Sequence, residues 1–184
     1  VIKSPTILHV VVTDRLTAEP VEVTSKDIGG WDASGNLMYE LFRATSALPL
    51  FYNRVVEIDG GKYVDGGVSD AIPLLRAIAA GCTDITVVTT RNLNFRRNGK
   101  KGFLRALGRL VLAFHPEALR QKLLNEDKLF NKTMDLLQDS SELAGKIRIT
   151  LVSPSDESRL ARRTTRGRRE LWDCAQMARQ DVFR

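Results

Sequence analysis

Hydrophobic positions in this 184-residue chain change their period several times, and each change marks an element. Thr6–Thr13 is a continuous, β-branched apolar run, which predicts a strand buried on both faces. Pro20–Thr24 alternates apolar and polar, the pattern of a short strand. In Asn36–Ser46, Leu37, Leu41 and Ala44 recur on one helical face, and Pro49 closes the segment. Arg54–Ile58 and Lys62–Val64 flank Asp59-Gly60-Gly61, a hairpin signal. A helix led in by Pro73 is predicted at Leu74–Ala80, then buried strands at Ile85–Thr90 and Ile147–Val152. Strands alternating with helices predict an α/β fold with a largely parallel sheet layered with helices. Thr6–Thr13 lacks the Lys, Pro or bulge signals that blunt an exposed edge. It is therefore expected inside a sheet, covered by a segment outside this sequence or by a second copy of the chain.

Charge divides the chain unevenly. Residues 1–90 hold 7 Lys/Arg against 11 Asp/Glu, whereas residues 91–184 hold 21 against 11, so the net charges are −4 and +10. The change falls at Arg91–Gly102, where N-L-N-F-R-R-N-G-K-K-G reads as a loop. Two regions are expected, 1–98 and a mostly helical, basic 99–184 that packs on the first. A hydrophobic content of 43% suffices for a core. No run reaches the roughly 18 apolar residues of a membrane span, and no charged-then-apolar signal segment opens the chain. Cys82 and Cys174 lie far apart, which argues against a disulfide framework and for a reducing, cytoplasmic setting. Both read as small buried hydrophobes.

The stretch with the most chemistry is Tyr63-Val64-Asp65-Gly66-Gly67-Val68-Ser69-Asp70-Ala71-Ile72-Pro73-Leu74. A lone Asp-Gly-Gly reads as a hairpin exit, and Asp59-Gly60-Gly61 is one, joining two strands. Asp65 differs because a Pro-led helix follows it. The glycines let the backbone turn between strand and helix and approach a ligand. In a parallel sheet such an aspartate would stand beyond the carboxyl end of a strand, where ligands bind.

Upstream stands Arg43-Ala44-Thr45-Ser46-Ala47-Leu48-Pro49-Leu50-Phe51. The pairing of Ser-Ala-Leu-Pro with Asp-Gly-Gly at this separation resembles the patatin-like phospholipases, chiefly the bacterial ones, from Thr6–Asp14 to the C-terminal helix. The resemblance implies a lipid acyl hydrolase working by a Ser–Asp dyad, with Asp65 as its carboxylate and Gly66 and Gly67 supporting the turn. Residues 1–98 would then be the C-terminal part of the catalytic domain. Ser46 and Pro49 would shape the turn near the site.

The family's G-x-S-x-G elbow and its Gly-rich oxyanion loop have no counterpart in the sequence. Gly67-Val68-Ser69-Asp70-Ala71 ends in Ala and overlaps the Asp motif, so Ser69 reads as a turn serine. The nucleophile is expected on an N-terminal segment beyond this chain. His9 lies in an apolar strand and reads as a satisfied core histidine, while His115 precedes Pro116 at a helix boundary. Neither context marks a triad base, and a dyad needs none. No His, Cys or carboxylate cluster has metal-ligand spacing, so neither metal nor cofactor is expected.

The basic half leaves two readings open. Phe103, Leu107, Leu110, Val111 and Phe114 form a stripe opposite Arg105 and Arg109, with Arg96, Arg97, Lys100 and Lys101 before it. This is either a surface helix packed on the core or a segment lying on an anionic membrane. Arg159, Arg162, Arg163, Arg166, Arg168 and Arg169 lack the interleaved aromatics or motif of a nucleic-acid reader, and no nucleic-acid partner is expected. The expected partners are a lipid or acyl-ester substrate and the nucleophile-bearing segment, with peripheral membrane contact. The alternative is a non-catalytic binding or membrane-docking module that keeps the patatin scaffold.

Overall fold

The computed structural model describes residues 5–27, 36–49, 52, 55–98, 112–139, 147–161 and 165–183. Leu50, Phe51, Arg54 and the amphipathic segment 103–111 lie outside these, as do Lys100, Lys101, Arg162 and Arg163. The fold is mixed α/β and divides into two compact units, neither of them continuous in sequence. The first comprises Val1–Pro73 and Arg97–Asn131, the second Leu74–Arg96 and Lys132–Arg184.

The first unit is built on a four-stranded sheet of β1 (His9–Asp14), β2 (Pro20–Thr24), β3 (Val56–Ile58) and β4 (Gly61–Asp65), in the order β2-β1-β4-β3. Every pairing in it is antiparallel. The largely parallel sheet expected from the alternation of elements is therefore not found. Loop length explains why. Only Arg15–Glu19 separates β1 from β2, too short for a parallel crossover of about a dozen residues. That loop is tied by Asp14, whose Oδ1 accepts from the N–H groups of Leu16 and Thr17 at 2.8 Å each. Between β3 and β4, Asp59 and Gly60 take positive φ of 48° and 79°, so the first Asp-Gly-Gly does close a hairpin.

β1 is interior to this sheet, as expected: β2 pairs with His9–Thr13 on one side, and β4 pairs with Val12–Asp14 on the other. Val10 and Val12 pack with Met38, Leu41 and Ala44 of helix α1 (Asn36–Thr45). Alternation along the strands turns Val64 the other way. It meets Ala18, Val68 and two leucines, Leu119 and Leu123, from the start of helix α3 (Glu117–Gln138). Arg97 stacks its guanidinium 4.2 Å from the Phe130 ring centroid, and its backbone N–H donates to Asn131 Oδ1 at 2.8 Å. Of the stripe 103–114 only Phe114 can be judged, and at 92% exposed it does not pack on a core.

The second unit holds helix α2 (Leu74–Ala79), the parallel pair β5 (Asp84–Val88) and β6 (Arg148–Val152), and helix α4 (Arg168–Val182). Gly81, at φ 85°, ends α2 in the left-handed region that favours glycine. The Glu157 carboxylate accepts from the Asn92 N–H at 2.7 Å and pairs with Arg91, joining the loop after β5 to a turn after β6. Cys82 is exposed and Cys174 half-buried, so the reading of both as buried hydrophobes fails at Cys82, which follows the helix-ending Gly81. Among the described residues no helix is long and apolar enough to cross a membrane.

The Asp14 loop has a measurable consequence. The Thr17 N–H holds the Asp14 carboxyl below its ordinary 3.8 against the opposing effect of burial, with smaller help from the Thr17 hydroxyl and the Leu16 N–H. A depressed folded-state value contributes stability that is present above 3.8 and lost as pH falls through the folded value. Urea unfolding should find wild type more stable than Asp14→Asn at neutral pH, with the gap closing in acid. A gap unchanged with pH would contradict this role.

Candidate functional site

Asp65 is the last residue of β4, and three elements converge on it. Its N–H donates to the Ala47 carbonyl at 3.1 Å, so the Ser-Ala-Leu-Pro turn after α1 and the Asp-Gly-Gly segment are joined directly. Its own carbonyl accepts from the Thr13 hydroxyl of β1 at 2.8 Å. The side chain caps the 3-10 turn Gly66–Val68, with Oδ1 accepting from the Gly67 N–H at 2.8 Å. Backbone and carboxylate are thus both oriented by named partners, and the side chain is half-buried.

Gly66 is fixed by close approach. A Cβ there would overlap the Val11 carbonyl oxygen, lie 2.7 Å from its carbon and come within 3.3 Å of Thr45 Oγ1. The Thr45 hydroxyl donates to that same Val11 oxygen at 2.7 Å, so helix α1, β1 and the turn share one crowded point. Gly67 is less constrained, since a Cβ would meet only Asp65, 3.1 Å from its Oδ1.

Ser69 is buried. It ends the 3-10 turn, with its N–H donating to the Gly66 carbonyl at 3.1 Å. Its hydroxyl lies 2.8 Å from Thr13 Oγ1. Since Thr13 donates to Asp65, the consistent assignment has Ser69 donating to Thr13. A serine used this way is a turn serine, as the sequence indicates. Ser46 is exposed, and its carbonyl accepts from Leu48 at 3.0 Å within the turn that precedes Pro49. Asp59 is exposed at its hairpin tip, in the same unit but at the opposite end of β4 from Asp65.

Thr13 is the residue the sequence conceals. It is wholly buried, and its hydroxyl supports the Asp65 backbone across the sheet. A β-branched residue ending an apolar run reads as a strand former, and nothing in the pattern distinguishes its hydroxyl from the methyl beside it.

His9 is exposed and pairs with Glu22 of β2, so it is not a core histidine. The strand starts at the rim of the unit, where its first outward position faces water. Burial, with a smaller effect of Arg15, holds His115 below its ordinary value, which favours the neutral ring. Among the described residues no three His, Cys, Asp or Glu side chains gather as a metal would require.

Residues 9–78 match the Patatin family, described as patatin-like phospholipase. The match contains β1, both halves of the Ser-Ala-Leu-Pro and Asp-Gly-Gly pairing, and most of α2. It is shorter than the resemblance from Thr6 to the C-terminal helix would have it. An uncharacterised protein of Escherichia coli (strain K12), YjjU, is 43% identical over 51 residues, covering 28% of this chain and 14% of that protein. The chain thus aligns with a small part of that relative's length. No solved structure matches.

Gly66→Ala should destabilise the first unit by roughly 1–3 kcal/mol or more, because the clash is with backbone. Gly67→Ala should cost less, since the Asp65 carboxylate can shift by a few tenths of an ångström. Urea midpoints of the two variants test the order, and an equal or reversed ranking would show that the Val11 carbonyl is not the constraint.

Proposed function

With residues 9–78 patatin-like, we propose that this chain supplies the carboxylate of the Ser–Asp dyad in a lipid acyl hydrolase. One observation carries the proposal: Asp65 stands at the end of β4 with its carboxylate set by Gly67 and its backbone tied to Ala47 and Thr13. An aspartate that is to act as a base must be held in one rotamer within reach of its proton donor. Asp59, at an exposed hairpin tip, has no such support.

The serine belongs to a segment outside these 184 residues, since no G-x-S-x-G elbow occurs within them. Its oxygen attacks the acyl carbonyl while its proton passes to the Asp65 carboxylate. Collapse of the tetrahedral intermediate expels the alcohol, which takes the proton from Asp65. Water then gives a proton to Asp65 and attacks the acyl-enzyme. The proton returns to the serine as the fatty acid leaves. The steps balance without a cofactor. The substrate class is a lipid or acyl ester, and nucleic acid has no part in it. The unpaired thiols of Cys82 and Cys174 suit a reducing compartment, so the proposed setting is cytoplasmic, with contact at a membrane surface.

A second reading has support of its own. The contacts of Gly66, Thr13 and Thr45 are needed to fold the first unit whether or not Asp65 does chemistry. A non-catalytic binding or membrane-docking module on the patatin scaffold would keep them all. A G-x-S-x-G elbow in the rest of the gene favours the hydrolase, and its lack favours the module.

Two expectations check the assignment of Asp65. The 184-residue chain alone should hydrolyse p-nitrophenyl butyrate no faster than background. Turnover that disappears in Ser69→Ala would make Ser69 the nucleophile and overturn the assignment. In the complete protein, Asp65→Asn should reduce hydrolysis by about 10²-fold or more with the fold intact, while Asp59→Asn leaves it nearly unchanged. Equal losses would show that the wrong aspartate has been assigned.

A further inference from the structure

Helix α4 turns its apolar side outward. Met177 is its one buried residue, and the Asp181 carboxylate, on the same side, accepts from the Ser155 N–H at 3.0 Å. Glu170 and Asp173 line a groove of about 670 Å³ with Ser158, Arg159 and Leu160. The helix therefore spends its carboxylates on its inner and lateral sides. On the opposite side, Leu171, Ala175, Ala178 and Val182 recur at spacings of four, three and four, one stripe along the helix. All four are exposed, Leu171 at 45% and Val182 at 58%. Trp172, 64% exposed, and Phe183, 86% exposed, stand beside the stripe.

An amphipathic helix on a globular unit ordinarily does the reverse, burying its stripe and wetting its charges. The cations say what covers this one. Arg168 and Arg179 fall on the outward side between the stripe and Trp172, and Arg166 and Arg169 are exposed at the same end. No acidic residue lies on that side of the helix. An apolar stripe carrying Trp and Phe, whose charged neighbours on the outward side are all arginines, is complementary to an anionic lipid surface. There the rings sit at headgroup depth, and the guanidinium groups reach the phosphates. A protein partner would have to match the same arginines with carboxylates.

We infer that the outward face of α4, with Leu171, Trp172 and Val182 inserted and Arg168, Arg169 and Arg179 on the headgroups, docks this protein on anionic membranes. The surface differs from the 103–114 stripe that the sequence offers for this role. The inference does not rest on hydrolysis or on Asp65. It would bring a lipid hydrolase to its substrate, but a non-catalytic module could dock in the same way.

Trp172 is a built-in reporter, because Trp31 is the only other tryptophan. In a Trp31→Phe background, vesicles containing phosphatidylglycerol should shift Trp172 emission to the blue and carry the chain with them on flotation. Neutral phosphatidylcholine vesicles should do so far less. Leu171→Ala with Trp172→Ala, both at exposed positions, should abolish flotation without changing the circular dichroism. Arg168→Gln and Arg169→Gln should each lower the partition coefficient about fivefold. Asp65→Asn should bind as wild type does, so a failed dyad would leave this result standing. No shift and no flotation would overturn the inference, as would binding equal on neutral vesicles or retained in the double variant. A blue shift that grows with protein concentration in the absence of lipid would assign the face to a second copy instead.

Discussion

The first unit depends on the absence of a side chain at Gly66. There the Val11 carbonyl of β1, held by the Thr45 hydroxyl of α1, presses against the backbone where β4 becomes a 3-10 turn. No other residue fits without moving a strand, and moving it would pull apart the contacts that orient Asp65. The Thr13 bond to the Asp65 carbonyl and the Ala47 bond to its N–H both need that separation. Packing and the proposed chemistry thus share one constraint. Backbone contacts fix where the carboxylate starts, so its own side chain is left to orient against Gly67.

Much of this was legible. Pro20–Thr24 is found with the residues its alternation predicts, and α1 and α2 each end one residue short of their predicted limits. The two Asp-Gly-Gly segments also separate as read, one into a hairpin and one into a turn with a helix beyond, because Pro73 follows only the second. Strand direction was misread. A buried β-branched run looks alike in parallel and antiparallel sheets, and the direction is carried by the short connections, Arg15–Glu19 and the Asp59-Gly60 hairpin. Thr13 was illegible for a different reason. Its hydroxyl matters through a partner 52 residues away, and single-chain periodicity has no access to such a pairing.

The second unit follows a different logic. Two parallel strands and α4 are joined by polar side chains such as Asn92, Glu157 and Asp181, which bond to backbone groups of neighbouring loops. With carboxylates committed there, arginines and apolar groups remain for the outside of α4. The basic composition of the C-terminal half thereby acquires a location: on α4 it borders an exposed apolar stripe. Arg96 is used otherwise, pairing with Asp135, while its neighbour Arg97 stacks on Phe130.

Phosphonylation of the complete protein by a fluorophosphonate, followed over time and mapped by peptide mass, tests the central claim most directly. Attack on phosphorus needs the same deprotonated serine as acyl transfer. It reports the base without any contribution from substrate binding by lipid. The account predicts a single labelled serine outside residues 1–184, and labelling slower by about 10²-fold or more in Asp65→Asn. Labelling at an unchanged rate in that variant, or label on Ser69, would contradict it.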